Sequence, residues 1–194
     1  ARKLAERHRG NAQFQQLLGL CARAVGDTAL AKKAFSRAAE LAPSDPLILH
    51  SHARTVMEAG LPAVDLFEKA LRAAPANGDI IRGIGAARLH QNSPWDALKF
   101  LESVVARNPL WIDGHRDIAR IRGQLALDPL HTIEQTLSRH ARPAELHYLA
   151  ISTALEALDL AGAQKAIKRA RPVLGNQPDL MLMEAHTASE ACRL

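Results

Sequence analysis

Aromatic side chains are scarce: four phenylalanines, two tryptophans and one tyrosine make up 4% of 194 residues. That scarcity removes the interleaved stacking platforms on which single-stranded nucleic acids are held. No run of 18 apolar residues occurs, so no segment reads as a membrane-spanning helix. Two cysteines, Cys21 and Cys192, stand far apart among small apolar neighbours. They are expected to be buried thiols acting as small hydrophobes, with a reducing cytoplasm as the setting. No strand-like alternation lies between the prolines, which excludes a sheet.

Catalytic signatures are equally thin. His115-Arg116-Asp117 reads like a kinase catalytic loop, but no phosphate-binding glycine loop or Asp-Phe-Gly accompanies it. As a His-x-Asp iron motif it fails on a helix, where residues two apart point away from each other. Arg82-Gly83-Ile84-Gly85 is a glycine pair inside a helix rather than a strand-to-helix turn, so it does not read as a nucleotide site. Among nine histidines none is four residues from another, the spacing helical zinc sites use, and His50/His52 falls short of it. The histidines are expected at the surface or at caps, with no catalytic residue, cofactor or metal in this chain.

What is present is a period. Pro43, Pro75, Pro109, Pro143 and Pro178 recur at spacings of 32, 34, 34 and 35, each closing a helix-forming stretch. Small residues Gly19, Ala53, Gly85 and Ala119 follow at 34, 32 and 34, where a first helix must let its partner's backbone approach. Bulky Phe35, Phe67 and Leu101 follow at 32 and 34 as knobs on the second helix. On this phasing leucine at Ala53 or Gly85 would overpack the seam.

The first unit runs Gly19, a turn at Gly26-Asp27, then Ala31, Phe35, Ala38 and Pro43. At these residues the chain resembles the tetratricopeptide repeat family. The match recurs at Gly60, Ala63, Phe67, Ala70 and Pro75, and at Gly85, Ala97, Leu101, Val104 and Pro109. In the fourth unit His131, Gln135 and Ser138 occupy positions where apolar residues belong, while Ile133 and Leu137 keep an apolar face two residues out of phase. A kink or altered crossing is expected over 125–143. The resemblance implies an all-α, right-handed α-solenoid of about five helix–turn–helix pairs plus a C-terminal capping helix. It forms a single domain over 1–194, with repeats at about 12–43, 44–75, 78–109, 112–143 and 146–178 and a terminal helix at 179–192.

The chain predicts helix pairs at 11–25 with 28–41, 45–59 with 62–73, 78–91 with 94–107, 111–126 with 129–141, and 144–160 with 162–174. A lone helix follows at 178–192. Asp27, Ser44 and Ser93 are the expected caps. The chain reads as a piece of a longer protein, and its terminal helix, rich in apolar residues over Met181 to Ala191, as a site of self-association or cover.

In such arrays the first helices line a concave surface. Beside the small-residue seam they offer Gln13, Gln16, His50, Arg54, Asp79, Arg82, His90, Asp113, Arg116, Asp117 and Arg120. Of these, His50, Arg54, Arg82, His90, Arg116 and Arg120 are the candidate binding residues, facing an acidic peptide or the acidic face of another protein. The alternative for the same residues is ordinary pairing with neighbouring carboxylates. Heat-shock chaperone tail binding is not expected, since the asparagine-bearing carboxylate clamp of the family's chaperone-binding members is missing.

Two other classes are open. Asn108 to Arg116, with Gln177-Pro178-Asp179, Ala185 and Ser189-Glu190, looks like the repeat region preceding 2-oxoglutarate/iron(II) oxygenase domains of some bacterial proteins. That likeness implies a recognition segment whose iron ligands lie outside this chain. The third class is an RNA-binding solenoid, suggested by the net charge of +5 and the basic cluster Lys165, Lys168, Arg169 and Arg171. Lack of stacking aromatics makes nucleic acid the weaker partner, and no membrane partner is expected.

Overall fold

A computed structural model describes residues 9–192. Among them eleven α-helices and no strand are found: α1 Ala12–Ala24, α2 Thr28–Leu41, α3 Pro46–Glu58, α4 Val64–Ala73, α5 Gly78–His90 and α6 Pro94–Arg107. They continue as α7 Ile112–Gln124, α8 His131–Arg139, α9 Ala144–Glu156, α10 Leu160–Leu174 and α11 Pro178–Ala191. The chain is an all-α solenoid of helix–turn–helix pairs, with α11 as a single closing helix. Two compact units divide within α6, one ending at Ala97 and the other beginning at Leu98.

The first helices of unit 1 start where a short polar side chain can take over exposed backbone amides, whereas α7 and α9 begin after Trp111 and Pro143 with no side-chain cap. The Asn11 side chain accepts from the amides of Gln13 and Phe14 at 2.9 and 3.3 Å, and Asn77 from those of Asp79 and Ile80 at 3.0 and 3.2 Å. Asp27 caps α2 as expected, accepting from the Leu30 amide at 3.0 Å. Ser44 does not cap α3. Asp45 does, at 2.9 and 3.2 Å to the Leu47 and Ile48 amides, because Pro46 takes the first helical position and leaves the residue before it as the cap. The Ser93 hydroxyl donates to the Gln91 carbonyl, 3.5 Å away.

The turn inside every pair carries one residue with positive φ: Gly26, Gly60, Asn92, Ala126 and Leu158, spaced 34, 32, 34 and 32 apart. Glycine and asparagine adopt this conformation at little cost, whereas a side chain such as leucine does not. Leu158 is 83% exposed, so the side chain gains nothing from burial. Leu158→Asn, the residue already used at position 92, is expected to stabilise the chain by about 1 kcal/mol. A thermal midpoint that does not rise would contradict this.

In unit 1 the knobs and seams interlock. Phe35 and Phe67 are buried at 0% and 1%. A methyl group placed on Gly19 would lie 2.8 Å from the Phe35 ring, and one on Gly83 would overlap the ring of Phe67. Phe67 on α4 therefore sits against α5 of the following pair, and it also meets the His50 ring on α3 at 5.8 Å between centroids. Gly85 is buried in α5 as well, but Gly83 makes the room for Phe67. Ala38 and Ala39 of α2 pack on Ile48 and Leu49 of α3 and Ala70 of α4.

Unit 2 has a core of Ala119, Ile133, Leu137, Leu146, Ala150, Ala163 and Ala170 among others. The fourth pair departs from the period as expected of its sequence. Ile133 and Leu137 are buried, whereas His131, Gln135 and Ser138 are exposed. The second helix of that pair begins at His131 and spans nine residues, shorter than the expected 129–141. In the fifth pair α9 ends at Glu156 and α10 starts at Leu160, because Asp159 caps the second helix through the Gly162 amide at 2.8 Å.

One ionic device occurs once in each unit. Arg88 reaches Glu68 at 3.4 Å and donates to the Asp96 carbonyl at 3.1 Å. Arg122, 34 residues on, reaches Glu102 at 2.9 Å and donates to the Asp128 carbonyl at 2.7 Å. Each guanidinium ties the preceding second helix to its own pair, Arg88 through the first turn of α6 and Arg122 through the turn before α8.

Both cysteines correct the sequence expectation: Cys21 and Cys192 are exposed. Gly19 and Ala22 take the buried face of α1, which turns Cys21 outward with Leu17 and Leu20, and Cys192 lies just past the end of α11.

Candidate functional site

The six candidate residues fall on three first helices. In unit 1, α3 carries His50 and Arg54, and α5, which packs beside it, carries Arg82 and His90. In unit 2, α7 carries Arg116 and Arg120. A spacing of four puts each of His50/Arg54 and Arg116/Arg120 on one helix face.

His50 is half-buried. Burial holds its imidazole below the ordinary value of 6.5, Asp79 pulls it upward, and the charges of Arg54 and Arg23 push it further down. These couplings place α1, α3 and α5 side chains in one electrostatic neighbourhood within unit 1. Arg23, outside the six candidate residues, lies over the Phe35 ring at 5.9 Å. His90 is exposed at the end of α5, and Arg82 is partly exposed.

Three arginines hold carboxylates on their own helices. Arg54 pairs with Glu58 at 2.8 Å, Arg116 with Asp113 at 2.6 Å and Arg120 with Asp117 at 3.7 Å. The Arg54–Glu58 and Arg116–Asp113 pairs are exposed and contribute about 0–1 kcal/mol each, so an incoming carboxylate can displace them, whereas Asp117 is buried. Acidic residues also recur in the first turns of successive first helices, at Asp79, Asp113, Glu145 and Asp179, where they favour the positive helix end. On α5 and α7 the charge is therefore mixed, with acid in the first turn and base one turn later.

Two histidines expected at the surface or at caps are core residues. His115 is 0% exposed, and its Nε2 lies 2.9 Å from the Pro109 carbonyl, which can only accept. Nε2 therefore carries the proton, and Nδ1 accepts from the Thr132 hydroxyl at 3.4 Å. His147, 32 residues on, repeats the arrangement with Nε2 at 2.8 Å from the Ala141 carbonyl. Each imidazole bonds a carbonyl six residues back, in the stretch leading into its own helix. Their helix positions match buried Leu49 and Ile81 of earlier pairs, a register signal that the sequence did contain. A ring enclosed in this way is not placed to bind iron. No group of three His, Cys, Asp or Glu among the described residues is arranged to hold a metal ion.

His115, like His50, lies below the ordinary imidazole value because of burial, opposed by the bond to Pro109. Half-buried His52 is lowered by burial and by Lys69 and Lys32, against Glu40. The unfolded chain then binds more of these protons as pH falls below about 6.5. Their stabilising contribution is full above that value and is lost as pH drops toward the lowered folded values. The thermal midpoint is expected to fall between pH 7.5 and 5, less steeply in His52→Gln. A pH response unchanged by that substitution would contradict the assignment.

The basic cluster on α10 is largely engaged: Lys165 and Arg169 meet Glu134 at 3.7 and 3.1 Å, and Arg171 pairs with Glu184. No helix among the described residues is long and apolar enough to cross a membrane.

No protein-family description matches the sequence, and no curated protein matches it. Solved structures do. A thermophilic tetratricopeptide repeat protein of Thermus thermophilus aligns with a TM-score of 0.54 and 20% identity over 93% of this chain and 99% of that one. YrrB, a tetratricopeptide repeat protein with an unusual peptide-binding site, aligns at 0.53 and 20% over 95% and 97%. A tetratricopeptide repeat protein of Parabacteroides merdae gives 0.60 and 14% over 96% and 75%. At these identities the likeness establishes the fold.

Proposed function

We propose that this chain is a non-catalytic protein- or peptide-binding module whose first helices engage an acidic partner. The observation that carries the reading is the recurrence of an arginine one turn into a first helix in each unit, Arg82 on α5 in unit 1 and Arg116 on α7 in unit 2, with the His50 imidazole at the matching place on α3. Arg54 and Arg120 add a second cation four residues on, Arg54 in an exposed pair with Glu58 and Arg120 reaching the buried Asp117 at 3.7 Å. Guanidinium forks suit carboxylates because two parallel hydrogen bonds form at once. The peptide-binding site of YrrB, on the same fold, supports the same use of the array.

The test is a fluorescence-anisotropy titration with a glutamate-rich peptide at two salt concentrations. Arg54→Glu in unit 1 and Arg116→Glu in unit 2 are each expected to weaken binding by roughly tenfold. Loss of one exposed pair should move the thermal midpoint by no more than about 4 °C. Unchanged affinity in both variants would remove the first helices from the site. Tighter binding of single-stranded RNA of equal charge would assign the face to nucleic acid.

A further inference from the structure

A groove of about 700 Å³ lies in unit 1 between α1 and α2, and it uses none of the six residues above. Leu18, Leu30, Ala29 and Ala34 supply its apolar part, and Arg9, Lys32, Lys33 and Arg37 its cations, against one carboxylate, Glu40. That carboxylate is already held by Arg37 at 2.8 Å. We propose that this groove is a second docking site, for an acidic amphipathic helix of another protein.

Three observations select that occupant. The walls are helices, and ridges on a third helix fit the furrow between two others. The α2 wall runs from Ala29 to Glu40, about 16 Å at 1.5 Å per residue, which three turns of a partner helix would cover. The excess of cations over the single engaged acid calls for carboxylates flanking the partner's apolar stripe. Residues 1–8 are poorly suited, because Arg2, Lys3 and Arg7 outnumber Glu6.

The probe is a labelled helical peptide of about 15 residues, four turns long, with leucines on one face and glutamates on both flanks. A matched peptide carries lysine in place of glutamate. Saturable binding of the glutamate peptide by the full chain is expected, roughly tenfold weaker for the lysine peptide and for Lys32→Glu/Lys33→Glu. Both lysines are exposed, and an unchanged circular dichroism spectrum keeps that variant interpretable. Arg54→Glu/Arg116→Glu should leave this binding within about twofold, which separates the groove from the first-helix surface. The proposal is overturned if the glutamate peptide fails to bind. It is also overturned if binding survives Lys32→Glu/Lys33→Glu and is lost in Arg54→Glu/Arg116→Glu. Concentration-dependent self-association abolished by Lys32→Glu/Lys33→Glu would overturn it too, by giving the groove to a second copy.

Discussion

Replacing Phe67 with alanine is expected to lower the free energy of unfolding by about 3–5 kcal/mol. The ring is 1% exposed and fills the space between His50 on α3 and Gly83 on α5. Truncation removes its apolar contacts and leaves a cavity that helices already in register cannot close by a small shift. In a repeat array each pair is stabilised mainly by its neighbours, so the loss falls first on unit 1. Urea denaturation should show a lower midpoint for signals from unit 1, and Phe67→Leu should recover most of the difference. A loss below about 1 kcal/mol would mean that the ring is not a packing knob.

The converse substitution, Gly83→Leu, is expected to destabilise by about 1–3 kcal/mol or more, although leucine favours helix over glycine by nearly 1 kcal/mol. Even a methyl group at this position meets the Phe67 ring, with further ring atoms at 2.6 and 2.9 Å. The ring is fully enclosed, so it cannot turn aside and α5 must move away from α4. Combining Gly83→Leu with Phe67→Ala should then restore part of the lost stability, because the new side chain enters the space the ring vacates. Strictly additive losses in the double variant would place the two residues out of contact.

The sequence exposed these contacts unevenly. Phe35 and Phe67 were legible because a knob recurring with the prolines has one structural meaning in a helical array. Gly83 was visible only as one of two glycines in a helix, and its neighbour Gly85 kept the better phase. Phase identifies equivalent positions along the chain, whereas Phe67 reaches across to the next pair. The buried histidines share the register of Leu49 and Ile81 but were missed because imidazole is polar, and the carbonyls of Pro109 and Ala141 that accept from Nε2 announce nothing in the sequence. The candidate arginines were legible as a helical face. Their engagement with Glu58, Asp113 and Asp117 required side-chain positions.

By itself the sequence determined that this chain is helical, that its helices come in pairs, and where most of them stop. Proline geometry, small-residue spacing and apolar periodicity are properties of the chain taken in order. Only the tertiary structure decided which charges neutralise one another, as Arg88 with Glu68 and Arg122 with Glu102, twenty residues apart. It also decided which cysteines face solvent and where a groove between α1 and α2 gathers cations around an apolar floor. Those outcomes depend on distances between helices, and a distance of a few ångströms across a packed interface has no counterpart in sequence separation.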